Sequence, residues 1–190
     1  MNPILLDFPT EFTTKRLLLR APKAGDGKAV NEAIIASLPE LKKWMPFAQK
    51  EPTLEETEQN IREAVAQFIL REDLRILIFD RQSGQFIGST GLHRMNWKVR
   101  SFEIGYWIDT RYSGQGYITE AVEGLINFAT SELKARRIEI RCDTRNERSR
   151  KIPTKLGFTL EGTFRSADMS VDGKNVRDTF IFAKTFEQHT

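Results

Sequence analysis

The most constraining feature of the sequence is a strand, a short loop with two glycines, a helix and a second strand in direct succession. The apolar run SFEIGYWID, from Ser101, is typical of a strand, and the loop RYSGQG follows it. Apolar residues then recur at helical spacing from Val122 to Leu133, and the strand RIEIRCD begins at Arg137. Parallel strands need such a crossover connection, which is right-handed. The segment therefore predicts an α/β domain with a parallel pair of strands.

The other elements follow from hydrophobic spacing and turn residues. Before this segment, the pattern predicts one strand at KRLLLRAP, two helices, and a hairpin of two strands across DRQSG. After it come a short helix and two strands that turn at VDGK. The predicted ranges are 15–22 for the first strand, 26–37 and from 53 for the helices, 75–79 and 85–92 for the hairpin, 149–156 for the short helix, and 158–165 and 177–185 for the last strands. This order indicates one domain over 1–190 with a mixed sheet of about seven strands.

The second helix has a signature at its start. Thr53 and Glu56 form the TxxE pattern of a capping box, in which each side chain satisfies a backbone N–H group. The spacing that follows predicts a buried stripe made of Ile61, Val65, Phe68 and Ile69.

Composition narrows the class of protein. Of the 190 residues, 39% are apolar, which is enough for one substantial core. The net charge of +3 mildly favours anionic ligands, but it is spread over alternating signs and argues against direct nucleic-acid binding. No apolar run approaches the roughly 20 residues of a membrane helix, and the first residues lack a signal-peptide pattern. The sole cysteine, Cys142, cannot form an internal disulfide and is expected in the core. We therefore expect a cytoplasmic protein without membrane attachment.

The loop after the SFEIGYWID strand has the character of a phosphate site. Glycine lacks a Cβ, so Gly114 and Gly116 let a ligand approach the backbone, while the N–H groups at a helix start carry positive partial charge. A plain turn explains two glycines equally well. The dinucleotide fingerprint needs a third glycine where Thr119 stands, and the nucleotide-hydrolase loop needs a Gly-Lys-Ser/Thr ending that is absent. Both common nucleotide loops are therefore disfavoured.

Several motifs occur in one order along nearly the whole chain. Arg111, Gly114 and Gly116 form the pattern RxxGxG, with EIGYWID before it and YITEAV after it. TKRLLLRAP near the start, WMPFA at 44–48 and NERSRKIPTKLGF at 146–158 complete the set. Together they resemble the GNAT acetyltransferases, in particular the RimJ/RimL branch, which includes ribosomal-protein N-terminal acetyltransferases. The resemblance implies the GNAT fold, an α/β fold whose mixed central sheet has helices on both faces and splays between its fourth and fifth strands.

The resemblance implies acetyl-CoA as the cofactor, bound in the cleft between the splayed strands. Its pantetheine would run beside the strand at 102–108, and its pyrophosphate would lie over 113–118, where backbone amides and nearby side chains donate. Arg111 also fits a solvated turn residue, and Tyr117 fits either the cofactor or a cover for the core. The implied cofactor-binding residues are Ile104, Tyr106, Ile108, Arg111, Ser113, Gly114, Gln115, Gly116, Tyr117, Ile118, Asn146 and Ser149.

Acetyl transfer to an amine needs a base, an oxyanion donor and a proton for the thiolate. Glu103, within an apolar strand, is the first candidate base, directly or through a water. Its alternative is an outward-facing charge, because strand residues alternate faces. His93, at the end of the preceding strand, is a competing base. For the oxyanion, the family uses a backbone N–H group on the splayed strand, here at 104–106, where Gly105 permits a bulge.

The proton donor for the thiolate is implied by the family's NxxS positions, which match Asn146 and Ser149. Asn146 resembles a residue that binds the cofactor or the acetyl group, and Ser149 resembles the hydroxyl that donates to the sulfur. Both are also ordinary helix caps. Pro153 departs from the family's pattern, and because proline is tolerated in a first helical turn, it predicts a helix that starts near 150–152.

The resemblance puts the acceptor groove at the loop between the first two helices. The candidate substrate wall is Trp44, Met45 and Phe47, joined by His93. Aromatic residues at this spacing fit a core equally well. A protein N-terminus needs an open groove, whereas a small amine, amino acid or antibiotic needs a closed pocket.

The expected activity is direct transfer of the acetyl group to a primary amine in a ternary complex, with no metal and no covalent enzyme intermediate. A protein N-terminal α-amine is the first acceptor to consider. The alternatives are a small-molecule N-acetyltransferase and a catalytically silent acyl-CoA-binding module. Dimers are common in this branch, so the resemblance leaves a homodimer open.

Overall fold

The computed structural model describes residues 2–187, which form eight β-strands and four α-helices. The strands are β1 (Glu11–Thr13), β2 (Leu17–Arg20), β3 (Leu74–Asp80), β4 (Phe86–Asn96), β5 (Ser101–Ile108), β6 (Arg137–Asp143), β7 (Thr159–Met169) and β8 (Val176–Thr185). The helices are α1 (Gly27–Leu41), α2 (Leu54–Leu70), α3 (Tyr117–Ser131) and α4 (Glu147–Lys155).

All eight strands belong to one sheet, in the order β1-β2-β3-β4-β5-β6-β8-β7. Only β5 and β6 pair in parallel, and every other described pair is antiparallel. The mixed sheet and the crossover through α3 are as predicted. The prediction of about seven strands missed β1, because three residues are too few to give a hydrophobic period.

The sheet opens between β5 and β6. The two strands pair at only three positions, from Ser101 opposite Arg137 to Glu103 opposite Glu139. Beyond that point β5 continues against β4 as far as Ile108, and β6 continues against β8 as far as Asp143. The resulting wedge is the splay that the resemblance implied. Within it, the β5 backbone groups that point towards β6 have no strand partner.

Helices cover both faces of the sheet, because the strands alternate buried side chains between the two sides. On one side, Ile76 and Ile78 pack with Leu125 of α3. On the other side, Leu77 packs with Ile34 of α1 and with α2. Burying one side chain of this size fully contributes about 1.5–3 kcal/mol to the free energy of folding. The wedge is therefore held between two packed layers.

Helix α2 begins as predicted and buries a different stripe. The Thr53 hydroxyl accepts from the Glu56 N–H at 3.1 Å, and the Glu56 carboxylate accepts from the Thr53 N–H at 2.8 Å, so the capping box is formed. Ile69 is 60% exposed, contrary to the prediction, since it lies about 100° further around the helix than Phe68. The buried positions are Thr57, Ile61, Ala64 and Phe68.

Two further local predictions were wrong. Gly105 does not form a bulge, because it pairs in regular register with Gly91, and the irregularity lies between His93 and Asn96. The helix predicted to start near 150–152 begins at Glu147 instead, so Pro153 lies in its interior rather than in its first turn. Among residues 2–187, no helix combines the length and apolarity needed to cross a bilayer.

Candidate active site

The glycine loop before α3 presents unpaired backbone donors. Gly114 and Gly116 both have φ of +79°, a left-handed conformation that other residues adopt at a cost. Within the described chain, the N–H groups of residues 114–119 have no hydrogen-bond partner, and the first helical turn bonds from Glu120 onward. These donors and the positive end of α3 converge on one exposed surface, which suits an anion such as a pyrophosphate. Ser113 and Gln115 are exposed there, and Ile118 is buried beneath.

Arg16 fixes this loop, and the sequence analysis did not identify it. Its guanidinium donates to the Gln115 carbonyl at 3.1 Å and lies 2.6 Å from the Glu120 carboxylate. It also stacks over the Tyr117 ring at 4.3 Å, which accounts for the tyrosine at this position. Arg111, by contrast, donates back to the buried carboxylate of Asp109 and is 59% exposed. Its predicted part in binding the cofactor stays a prediction.

A cavity of about 600 Å³ lies between the α1–α2 layer and the open wedge of the sheet. All four residues of the predicted substrate wall line it, since Trp44, Met45 and Phe47 lie between α1 and α2 and His93 lies on β4. The predicted cofactor residues Ile104, Tyr106 and Ile108 share the face of β5 that packs on the α3 side, and Ile104 and Tyr106 also line the cavity. Ser149 and Cys142 line the cavity where it meets the wedge.

His93 forms a pair with Asp73, a residue that the sequence analysis did not single out. The Nδ1 atom of His93 lies 2.5 Å from Asp73 Oδ2. In the tautomer that carries its hydrogen on Nδ1, the ring donates to this carboxylate and Nε2 is an acceptor. The ring lies directly over Gly105, as shown by the position that a methyl group on Gly105 would take, within 3.2 Å of His93 Nε2. Gly105 thus makes room for the imidazole. Asp73 lies in the turn before β3, 20 residues from His93 in the sequence, so no local sequence pattern predicts the pair.

Glu103 lies directly opposite His93 in the sheet register and makes different contacts. Its Oε2 atom is 3.1 Å from Arg141 Nε and 3.6 Å from Arg94 Nε, and the side chain is 19% exposed. Arg141 lines the cavity and pairs with Glu139 as well. The Glu103 carboxylate is therefore held between arginines beside the cavity, and its predicted part as the base stays a prediction.

Ser149 is held by Tyr106 through a contact that depends on Pro153. In an α-helix the carbonyl of Ser149 would accept from the N–H of residue 153, but proline has no N–H. The Tyr106 hydroxyl donates to this carbonyl at 2.9 Å and lies 3.1 Å from the Ser149 hydroxyl. Because the one hydrogen of the tyrosine hydroxyl goes to the carbonyl, the serine hydroxyl supplies the hydrogen in its contact with the tyrosine oxygen. Asn146 caps α4 by accepting from the Ser149 N–H at 3.1 Å, which is the cap that the sequence analysis weighed.

Burial keeps the neighbouring acidic groups protonated. It raises the pKa of the Tyr106 hydroxyl well above its ordinary value, with the Ser149 contact acting in the opposite direction. It also raises the pKa of the Cys142 thiol to about 11. Cys142 lies on β6 and is 7% exposed, as predicted for a core residue. At neutral pH the wedge therefore contains a phenol, a hydroxyl and a thiol in their neutral forms.

Comparison with known proteins identifies the family. The Acetyltransferase (GNAT) domain family matches residues 16–159, which include the glycine loop, both sides of the wedge and the cavity wall except Arg177. The chain belongs to the GNAT acetyltransferase family. The Bacillus subtilis (strain 168) protein named "Putative ribosomal N-acetyltransferase YdaF" is 35% identical over 161 residues, which cover 82% of each chain.

Solved structures of GNAT acetyltransferases agree with the fold. A RimL ribosomal L7/L12 alpha-N-protein acetyltransferase in complex with coenzyme A superposes with a TM-score of 0.84 at 21% identity, covering 93% of this chain and 96% of that one. The microcin C7 self-immunity acetyltransferase MccE, in complex with acetyl-CoA and AMP, gives 0.87 at 20% identity, covering 94% and 98%. This GNAT protein is accordingly an acetyl-CoA-dependent N-acetyltransferase.

Proposed function

We propose that this GNAT enzyme acetylates the α-amine of a protein N-terminus, of the ribosomal-protein type. The observation that carries the proposal is the cavity of about 600 Å³, which joins a histidine–aspartate pair to the open wedge of the sheet. The similarity to YdaF supports the ribosomal type of acceptor. The transfer is direct, from acetyl-CoA to the amine within a ternary complex.

The cofactor would be held by the wedge and the glycine loop. The N–H groups of 114–118, which have no partner in the described chain, would bind the pyrophosphate oxygens. The pantetheine would lie along β5 beyond Glu103, where the backbone groups facing β6 are without a strand partner. One of those N–H groups, at 104–106, would donate to the carbonyl oxygen of the acetyl group as it becomes negative.

His93 is the better-positioned base. Its Nε2 atom faces the cavity over Gly105, and Asp73 holds the opposite nitrogen in the protonated state. As the amine nitrogen of the acceptor attacks the acetyl carbon, the imidazole would take a proton from that amine. Asp73 would stabilise the imidazolium that forms. Glu103 is the second candidate, but two arginines already lie against its carboxylate.

The departing group is the thiolate of CoA. As the new C–N bond forms and the C–S bond breaks, the sulfur gains negative charge at the wedge. The Ser149 hydroxyl would turn its hydrogen from the Tyr106 oxygen to that sulfur and stabilise it by a hydrogen bond, while the contacts from Tyr106 hold the residue in place. Ser149 keeps its proton, CoA leaves as the thiolate, and the proton that the amine loses stays on His93 until product release.

A thiol-release assay tests the proposal. The wild-type enzyme and acetyl-CoA are presented with peptides that copy protein N-termini, including ribosomal ones, and with small amines, polyamines and amino acids. We expect turnover on peptides with a free α-amine and none on the same peptides after N-terminal acetylation. Turnover confined to small amines would indicate a small-molecule enzyme. Acetyl-CoA binding by calorimetry with no turnover on any acceptor would indicate a silent acyl-CoA-binding module.

Two matched variants test the base. His93→Gln should lower kcat roughly 100-fold or more, the usual contribution of a general base, while the Kd of acetyl-CoA stays within a factor of about two. Glu103→Gln should have a smaller effect on kcat. If Glu103→Gln abolishes turnover and His93→Gln does not, the base is Glu103 and the histidine serves only the cavity wall.

A further inference from the structure

Arg75 stands out among the charged residues of the cavity. It lies on β3 and is only partly exposed. It lines the cavity with His93 and with the Trp44 loop, which is the segment of Trp44, Met45 and Phe47 between α1 and α2. Its guanidinium makes one hydrogen bond in the described chain, from Nη1 to the Asn60 side-chain oxygen at 2.6 Å. A guanidinium has five N–H donors, so most of its capacity is unused.

The other cationic side chains of the cavity wall all have ion pairs. Lys50 pairs with Glu56 at 2.7 Å, and Arg177 pairs with Asp168 at 2.9 Å. Arg141 contacts Glu103 and Glu139. Within residues 2–187, Arg75 is the one Lys or Arg of the cavity wall without a carboxylate oxygen inside 4.0 Å.

The charge on Arg75 is incompletely balanced. Burial lowers its pKa, and the more distant carboxylates of Asp73 and Glu63 act in the opposite direction without overcoming that effect. Asp73 is already engaged by His93 at 2.5 Å. A desolvated guanidinium with free donors is stabilised by a carboxylate, which it can bind through two parallel hydrogen bonds.

Arg75 also lies beside the candidate base. In the sheet register it is opposite Gly91, which is opposite Gly105. A methyl group on Gly91 would come within 3.0 Å of the Arg75 Cα atom and 3.1 Å of His93 Cε1. The two side chains therefore rise from neighbouring strands on one face of the sheet, with Gly91 leaving space between them. A group bound by Arg75 is held close to an amine that faces His93.

We infer that Arg75 is an anionic subsite of the acceptor cavity, so that this enzyme prefers amines that carry a carboxylate close to the reacting nitrogen. The inference rests on the proposed function. In a peptide acceptor, we place the carboxylate on an acidic side chain at the second residue, and the carboxylate of a free amino acid would supply the same chemistry. Arg75 thereby selects the acceptor, while His93 and Ser149 carry the chemistry.

Matched peptides test the inference. The acceptors are three peptides that begin Ser-Asp, Ser-Asn and Ser-Lys and are otherwise identical with amidated ends, together with free serine and free aspartate. The enzymes are the wild type, Arg75→Gln, Arg75→Glu, and Arg62→Gln as a control. Arg62 lies on α2, is 67% exposed and is outside the cavity. Thermal unfolding and the Kd of acetyl-CoA are measured for each variant, so that misfolding is recognised.

The wild type should favour the Ser-Asp peptide over the Ser-Asn peptide by roughly 10- to 100-fold in kcat/KM, as expected for a charge-assisted hydrogen bond. Arg75→Gln should remove that preference, Arg75→Glu should turn it towards Ser-Lys, and Arg62→Gln should retain it. Turnover of free amino acids alone would keep the carboxylate subsite and refute the peptide acceptor.

Three results overturn the inference. Equal wild-type turnover of the Ser-Asp and Ser-Asn peptides would refute the anionic subsite while leaving the proposed function intact. A uniform loss for all three peptides in Arg75→Gln would assign the arginine to the support of Asp73 instead. Silence of the wild type on every acceptor would refute the proposed function itself, and the subsite with it.

Discussion

Replacing Tyr106 by phenylalanine should weaken α4 and slow acetyl transfer, because one hydroxyl serves both. That hydroxyl donates to the Ser149 carbonyl at 2.9 Å and lies 3.1 Å from the Ser149 hydroxyl. Without it the carbonyl has no donor from the helix, since residue 153 is a proline. Phenylalanine preserves the ring, so the change removes the hydrogen bonds and little else.

The magnitude follows from the exposure of the pair. An unsatisfied buried acceptor costs about 1–3 kcal/mol. Tyr106 and Ser149 are only partly buried, so water can replace the lost donor in the free enzyme and the cost should be near 1 kcal/mol. A misdirected Ser149 hydroxyl should also lower kcat by roughly tenfold, which corresponds to about 1.4 kcal/mol in the transition state.

A double-mutant cycle isolates this contact. Pro153→Ala restores an N–H that can bond to the Ser149 carbonyl within the helix, so Tyr106→Phe should cost less in that background. Urea denaturation of the four proteins should give a coupling energy of about 1 kcal/mol. Tyr112→Phe is the matched control, because its hydroxyl donates to the exposed Gln85 side chain at 2.8 Å, and its effect should stay within about 0.5 kcal/mol. Equal costs of Tyr106→Phe in both backgrounds would refute the link between the tyrosine and the proline.

Two further predictions concern the loop and the thiol. Gly114→Val should strain a residue at φ +79° and crowd the free N–H groups, so the Kd of acetyl-CoA measured by calorimetry should rise at least about tenfold. Gly84→Val is the control, because Gly84 has φ +71° in the turn before β4. This variant should reduce stability similarly and leave the Kd of acetyl-CoA unchanged. Equal Kd values for the two variants would remove the loop from the cofactor site. Because burial raises the pKa of Cys142 to about 11 from 9.0, iodoacetamide should alkylate the folded enzyme at pH 8 far more slowly than the urea-unfolded chain. The folded state keeps this proton longer than the unfolded state, so the unfolding free energy should fall as the pH rises from about 9 to 11, and rapid alkylation at pH 8 would contradict the assignment.

The sequence predicted those parts of the fold that depend on local period. The hairpin of β3 and β4, the crossover from β5 through α3 to β6, and the capping box at Thr53 are all present. The strand β1 was missed because its three residues are too few to show a hydrophobic period. Ile69 was misassigned because adjacent apolar residues on a helix cannot both face one partner, and the sequence does not say which one does.

The candidate site was predicted less completely, because its contacts join distant parts of the chain. Residues of the Trp44 loop, His93 and Ser149 were identified from motif order and line one cavity. Asp73 acquires its part only when β3 and β4 bring it to His93, and Arg16 only when β2 comes beside α3. Neither contact has a fixed spacing in sequence, so no motif contains both members.

The residues that break a local rule lie on the cavity wall or about one helical turn from it. Pro153 interrupts a helix, Gly105 weakens a strand, and Arg75 puts an unpaired charge on an otherwise apolar strand. Two of them have a counterpart in the structure: Tyr106 supplies the donor that the proline lacks, and the His93 ring fills the space above the glycine. The arginine donates to the Asn60 side chain, and the proposed acceptor carboxylate would be its counterpart. Local stability alone would replace all three, since a helix former, a β-branched residue and an apolar residue would each fit its element better. Gly105 and Arg75 lie on the wall of one cavity, and Pro153 bears on the same wall through Tyr106 and Ser149, so the three exceptions support the proposed acceptor site in a way that packing alone does not explain.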